Sequence, residues 1–291
     1  MRLKLAHILF CLGLAAAMCP TRAAAQNPDD LLPEQSTALA KKILGQLIDA
    51  LGGPAFLQAK QMQCSGRLAQ FEHSGNLAGY TIFRNSWSFP DTNRTEYIVK
   101  GSKLGVLSVF MGSIPIKGGR IVQLYSGDHG WTLDRGGVSE LPADAVEQFQ
   151  EQLKRSVDNL LRYRLHENGL TFRYGGLDLI DMLPVDWVEI TDSEERQFRL
   201  AVRRSNHLLA RSVVTVPDQT THETNQESTI FANYHREGGV ETPLQVTRQR
   251  NGQRVFQVFY DSCTYDPNLP PDFFTKESLN KYAPAGSKKD Q

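Results

Sequence analysis

Catalytic signatures are scarce in this 291-residue chain. No Gly-x-Ser-x-Gly elbow, His-Glu-x-x-His helix, phosphate-binding glycine loop or Cys-x-x-Cys pair occurs, which removes the familiar hydrolase, zinc-protease, nucleotide-binding and thiol-redox readings. An excess of one charge is also lacking: 32 basic residues face 32 acidic ones, and the pI is near 7.1. Such a balance argues against a protein built to grip phosphate backbones, which needs a basic surface. Long apolar runs are confined to one place, Leu5 to Met18, interrupted only by His7. Cysteine is sparse, with four in all, and two of these, Cys11 and Cys19, fall within or beside that run. What remains is an ordinary globular composition, 40% apolar and 22% charged, long enough to bury a core without metal or disulfide support.

Arg2 and Lys4 precede the apolar run, and Ala23-Ala24-Ala25 stands before Gln26. This is the pattern of a cleaved export signal over residues 1–25, and the run is shorter than the roughly 20 residues that a spanning helix needs. The expected mature chain starts at Gln26, is exported to the periplasm, and carries 29 basic against 32 acidic residues. Cys19 offers an alternative, a lipid-anchored form, but Met18 stands where a small residue is wanted. Two cysteines, Cys64 and Cys263, are left in the mature chain; they either form a disulfide clipping together the two ends of a sheet or stay as separate buried thiols.

Leu44, Leu47, Ile48 and Leu51 recur at helical spacing, and Gly52-Gly53-Pro54 stops that helix. From Met62 the pattern becomes strands separated by Gly, Asn, Asp, Ser and Pro. A second long helix follows Leu141, with Val146, Phe149, Leu153, Val157, Leu160 and Leu161 as its apolar stripe, Asp144 and Glu147 in its first turn, and Arg162, Arg164 and His166 in its last. Leu170 to Tyr265 then reads as further strands with hairpin turns at Arg203 to His207 and Asn251-Gly252. The expected fold is mainly β with helices (α+β). A large curved antiparallel sheet of roughly eleven strands, an incomplete barrel, wraps round two or three helices in a single domain over residues 26–282. The polar segment 283–291 forms a flexible tail.

Three stretches resemble exported bacterial proteins of the LolA-like, or lipoprotein-carrier, fold group. One is the helix ending Ala50-Leu51-Gly52-Gly53 ahead of a strand from Met62. Another is Tyr125 to Leu133 with the helix containing Asp158 to Leu161 behind it. The third runs from Phe231 to His235, through Gly238-Gly239-Val240 and Pro243-Leu244, to Asp266-Pro267-Asn268 and Phe273-Phe274. The resemblance implies an incomplete barrel round helices with an apolar cavity between, and an apolar partner such as a lipid or a lipoprotein acyl chain. No stretch aligns residue by residue with the functional positions of the studied carriers.

Candidate cavity residues are apolar. Leu104, Leu107, Phe110, Met111 and Ile114 crowd a glycine-rich segment that reads as a strand or short helix completing the core, with a mobile lid or cavity wall for a lipid as the alternative. Trp87, Phe89 and Trp131 are candidate lining, and Phe149, Leu153, Val157 and Leu160 would cover them from the second helix. Asp128-His129 lies in a glycine-flanked turn, where Asp serves turn geometry. His222-Glu223 and His235 with Glu237 lack the further ligands of a closed metal site. Asn93-Arg94-Thr95 matches a glycosylation acceptor. No catalytic residue, metal or cofactor is therefore assigned. Two functions stand: a non-catalytic periplasmic carrier of an apolar ligand, or an envelope protein-interaction module with a filled interior. Neither involves nucleic acid.

Overall fold

The computed structural model describes residues 27–72, 74–98, 120–217 and 224–281. The expected export signal, the segment carrying Leu104, Leu107, Phe110, Met111 and Ile114, the pair His222-Glu223 and the tail 283–291 lie outside the described residues.

Thirteen strands form one antiparallel sheet that does not close into a barrel. The first half comprises β1 (Gln61–Phe71), β2 (Leu77–Ser88), β3 (Thr92–Ile98), β4 (Arg120–Ser126), β5 (His129–Asp134) and β6 (Gly137–Glu140). The second comprises β7 (Thr171–Ile180), β8 (Leu183–Thr191), β9 (Gln197–Arg203), β10 (Leu209–Pro217), β11 (Thr224–Glu237), β12 (Val240–Arg250) and β13 (Gln253–Tyr265). In each half, strands consecutive in the chain pair as neighbours, so each is an antiparallel meander. The spatial order runs from β6 down to β1, then β13 down to β7, so the first and last strands pair in the middle of the sheet.

That pairing holds the disulfide. Cys64 stands directly opposite Cys263, their Cα atoms 4.1 Å apart, and the two sulfurs are bonded. The bridge staples the centre of the sheet, where the two meanders meet, and not its ends as the chain positions suggested. Gly66, two residues on, follows a bulge, and a Cβ there would sit 2.2 Å from the Phe259 carbonyl oxygen. No larger residue fits so close a backbone approach.

Helix α1 (Pro33–Leu51) lies on the second half. Its stripe of Ala40, Ile43, Leu44, Leu47 and Leu51 is buried against Val188, Ile190, Phe198, Leu200, Val202 and Leu209. Each large aliphatic buried there contributes about 1.5–3 kcal/mol. Polar bonds fix its register: Thr37 Oγ1 donates to the Phe172 carbonyl at 2.9 Å, and Ser36 Oγ accepts the Tyr174 amide at 2.9 Å. The helix stops at Gly52, whose φ of 126° and close approach to Gly239 exclude a side chain, and the short α2 (Pro54–Gln58) follows.

The second long helix departs from the sequence reading. It is broken at Ser156, whose ψ of 125° is extended, into α3 (Ala143–Arg155) and α4 (Val157–Asn159), the latter continuing as π-helical turns over Leu160–Arg164. The Ser156 hydroxyl caps the new start by accepting the Asn159 amide. Arg162 and Arg164, placed by the sequence in the last turn of one long helix, lie beyond the break with their side chains largely buried. Arg162 has a side chain only 1% exposed, stacks 3.9 Å over the Phe56 ring and 4.4 Å over the Phe89 ring, and donates from Nε to Asp158 at 2.9 Å and from Nη1 to the Phe56 carbonyl. It thereby fastens α4 to α2 and to the end of β2.

The chain after β13 returns to the first half. Asp266 accepts the Lys60 and Gln61 amides at 2.8 and 2.9 Å. Leu279 of α5 (Lys276–Asn280) fills a cluster with Val122, Leu124 and Leu133. Fully buried Arg94 clamps this segment, donating to Glu96, the Phe273 carbonyl and Ser278 Oγ. With its neighbour Arg94 so placed and Asn93 itself buried, donating to Asn85 and the Ser86 carbonyl, the glycosylation match at Asn93 is part of the packed sheet.

Candidate functional site

A cavity of about 330 Å³ runs between the α3–α4 break and the strands β10 to β12. Its floor is set by alternation: on β11, Glu227, Thr229 and Phe231 face it, and a left-handed Asn233 (φ 54°) shifts the phase so that Tyr234 faces it as well. Glu227 to Tyr234 spans about 23 Å at strand rise, so the cavity is a slot along one strand. Leu209, Ser212 and Val214 of β10 flank it on one side, and Val240, Pro243 and Arg248 of β12 on the other. The roof is Phe149, Leu153 and Val157, with Leu161 behind, and Leu51, Phe56 and Trp87 close one end.

The structure brings together some of the candidate residues. Trp87, Phe149, Leu153 and Val157 line the slot. Trp87 stacks on Phe149 at 6.1 Å, Phe149 on Tyr125 at 4.3 Å, and Phe89 on the other side of Trp87 at 6.4 Å; Phe89 itself does not line the slot and carries Arg162 on its ring. Leu160 is fully buried in the main core beneath α1, because the break at Ser156 turns it away from the α3 stripe. Trp131 lies elsewhere, against Val122, Leu124 and Leu133. Its strand faces the C-terminal segment, and Lys276 sits 5.9 Å over its ring.

The sequence reading missed the strand side of the slot altogether. Thr229, Phe231 and Tyr234 alternate along β11, but alternation alone does not say which face of a two-sided sheet meets helices and which meets water.

Two charged ends distinguish the slot. At one, Glu227 accepts from Arg248 and Arg250, and Arg155 approaches the same carboxylate. Burial acts to raise the Glu227 carboxyl, but the Arg248 and Arg155 charges and the hydrogen bonds outweigh it and hold it below the ordinary carboxylate range. At the other end Asp158 is paired with Arg162, and Glu241 with Arg236 at 3.6 Å. Tyr234 donates its hydroxyl to the Leu209 carbonyl at 2.9 Å, and Tyr265, bonded to Thr242 at 3.0 Å, is pushed up to about 12 chiefly by burial.

The other polar candidates are surface features. Asp128 and His129 form an exposed pair at 3.3 Å in the β4–β5 turn, with the His129 ring lying 5.7 Å from Trp131. His235 bonds Asn233 on the outside of β11. Among the described residues no three His, Cys, Asp or Glu side chains group as metal ligands, and no helix is long and apolar enough to cross a membrane.

Solved structures share this architecture. A DUF1329 family protein from Desulfovibrio piger is similar at a TM-score of 0.55 and 11% identity, over 84% of this chain and 99% of that one. A putative outer membrane lipoprotein-sorting protein domain from Vibrio parahaemolyticus is similar at 0.51 and 9% identity, over 83% and 99%. The fold is LolA-like. A LolA superfamily protein from Nitrosomonas europaea aligns at 0.45 and 14% identity, over 82% and 99%. No family model matches the sequence, and no curated protein does. The LolA-like fold explains the placing of the slot, since a curved sheet that stops short of closure leaves space where helices cross it.

Proposed function

We propose that this protein is an exported, periplasmic, non-catalytic carrier that shelters an apolar chain, such as a lipid or a lipoprotein acyl chain, in the slot beneath α3 and α4. The observation that carries the reading is the slot itself: it is long, it is walled by Leu153, Val157, Phe149, Val214, Phe231 and Leu209, and it occupies the space that a filled interaction module would pack with side chains. The driving force would be burial, about 0.8 kcal/mol for each methylene removed from water, so a chain of ten or more methylenes gives tight binding without covalent chemistry. The LolA-like fold, shared with a lipoprotein-sorting domain, supports the same class of ligand.

Filling the slot tests it. Thr229 faces the space at mid-length, so Thr229→Trp places an indole where the chain would lie. The expected result is uptake of a fluorescent fatty acid by the parent and binding at least about tenfold weaker in the variant, with a thermal midpoint within a few degrees of the parent. Absence of uptake by the parent, or equal affinity in a folded variant, would remove the slot as the binding site.

A further inference from the structure

Resting on that reading, we propose that the slot takes its ligand in one orientation, as a single-chain amphiphile whose anionic carboxylate or phosphate head is held by Arg155. Arg155 is the last residue of α3, lines the slot, and has a buried Nε–H with no acceptor among the described residues. A buried donor left without a partner costs about 1–3 kcal/mol, more when charged, so an acceptor brought to Arg155 by a ligand would be favoured. The other charged groups around the slot and the Tyr234 hydroxyl are engaged: Glu227 by Arg248 and Arg250, Asp158 by Arg162, Glu241 by Arg236, and Tyr234 by the Leu209 carbonyl.

The charge distribution gives the orientation. Arg155, Arg248 and Arg250 surround Glu227, and Glu151, which also feels Arg155, is shared with Lys154 and Arg196, so positive charge exceeds negative at this end. The far end is neutral, Asp158 being paired with Arg162 and Glu241 with Arg236, beside the aromatic wall of Phe56 and Trp87. An anion is therefore drawn to the first end and meets no such field at the second, while the apolar tail runs along Thr229 and Phe231 toward Tyr234. Arg155 also belongs to the helix break. Its neighbour Ser156 is the residue at which the helix breaks, so a head group bonded to Arg155 would sit where the two roof helices meet.

Competition binding at constant chain length separates head from tail. Hexadecanoic acid, hexadecyl phosphate and hexadecanol are each used to displace a fluorescent probe from the mature protein and from Arg155→Gln and Arg155→Lys, at a pH where the acid is ionised. The expected result is a preference of about tenfold or more for either anion over the alcohol. That preference should fall toward unity in Arg155→Gln and be partly kept in Arg155→Lys. A stronger response to the carboxylate points to free fatty acids, and a stronger response to the phosphate ester points to phospholipid head groups; both support the assignment. Equal displacement by acid and alcohol in the parent overturns the head-group site while leaving the slot standing. A preference undiminished in Arg155→Gln overturns the role of Arg155. Displacement by none of the three overturns the slot reading and this inference together. Inorganic phosphate alone should not displace the probe, and displacement by it would mean that the head site acts without the tail.

Discussion

Breaking the Cys64–Cys263 bond should cost this fold more than a typical disulfide, because of where topology puts it. The two residues are separated by 199 positions, and nearly all of the described sheet lies inside the loop they close. In the chain-entropy account, tying off a loop of that length lowers the entropy of the unfolded ensemble by an amount worth about 5 kcal/mol at room temperature, near the upper end of observed values. The native state has little to lose in return, since β1 and β13 hold Cys64 opposite Cys263 through their own hydrogen bonds with or without the sulfur link. We therefore expect a double variant, Cys64→Ala with Cys263→Ala, to fold to the same sheet but to unfold with a free energy about 3–5 kcal/mol lower in urea. The slope of that transition should be steeper, because the unfolded chain is no longer held compact. Both sulfurs are buried, so part of the loss in the variant is packing. Reduced parent protein, with the side chains intact, isolates the cross-link and should show most of the same loss. A decrease under about 1 kcal/mol in both samples, with an unchanged slope, would refute the argument that this bridge constrains the unfolded chain.

Two further perturbations follow from the packing. Gly52→Ala drives a Cβ to 2.5 Å from the Gly239 carbonyl at a φ of 126°, and should destabilise by about 2–3 kcal/mol; Gly45→Ala, in the middle of α1 with no atom within 4 Å of the new Cβ, should stabilise by about 0.5–1 kcal/mol, and opposite signs in one melting series check both. Acid should weaken the fold through Asp192 and Glu227. Burial acts to raise both carboxyls, but the Arg196 amide and the Arg164 and Arg196 side chains for Asp192, and Arg248, Arg155 and Arg250 for Glu227, hold them below the ordinary range. A depressed folded-state value means that the folded protein binds fewer protons than the unfolded chain, so the stabilisation is complete above the unfolded value of about 4 and is lost as pH falls below it. Urea midpoints taken from pH 6 down to pH 2.5 should drop less steeply in Asp192→Asn than in the parent, and parallel curves would count against the network.

Much of the fold is legible in the sequence because it depends on local rules. The stripe from Leu44 to Leu51 and the Gly52-Gly53-Pro54 stop give α1, and the turn residues at Ser126 to Gly130, Arg203 to His207 and Asn251-Gly252 give hairpins that the structure contains. The number of strands was slightly underestimated, thirteen against roughly eleven, since short pieces such as Gly137–Glu140 carry too little pattern to count with assurance. The second helix was misread for a definite reason. Its apolar stripe continues unbroken through Val157 and Leu160, but Ser156 satisfies the Asn159 amide from outside the helix, and the chain bends there so that Leu160 enters the core while Val157 stays over the slot.

What the sequence determined by itself is the class of fold: one apolar face per strand, helices with one apolar stripe, and composition suited to a single core. Which distant residues meet was decided by the tertiary structure. Pairing β1 with β13 places Cys64 against Cys263, and curling β10 to β12 beneath α3 gathers Arg155, Glu227 and Arg248 from three elements into one charged end of an apolar slot. The reason is physical. Periodicity records that a side chain is hidden from water, while the neighbour that hides it is set by how far the sheet curls and where a helix breaks, and neither leaves a repeating mark along the chain.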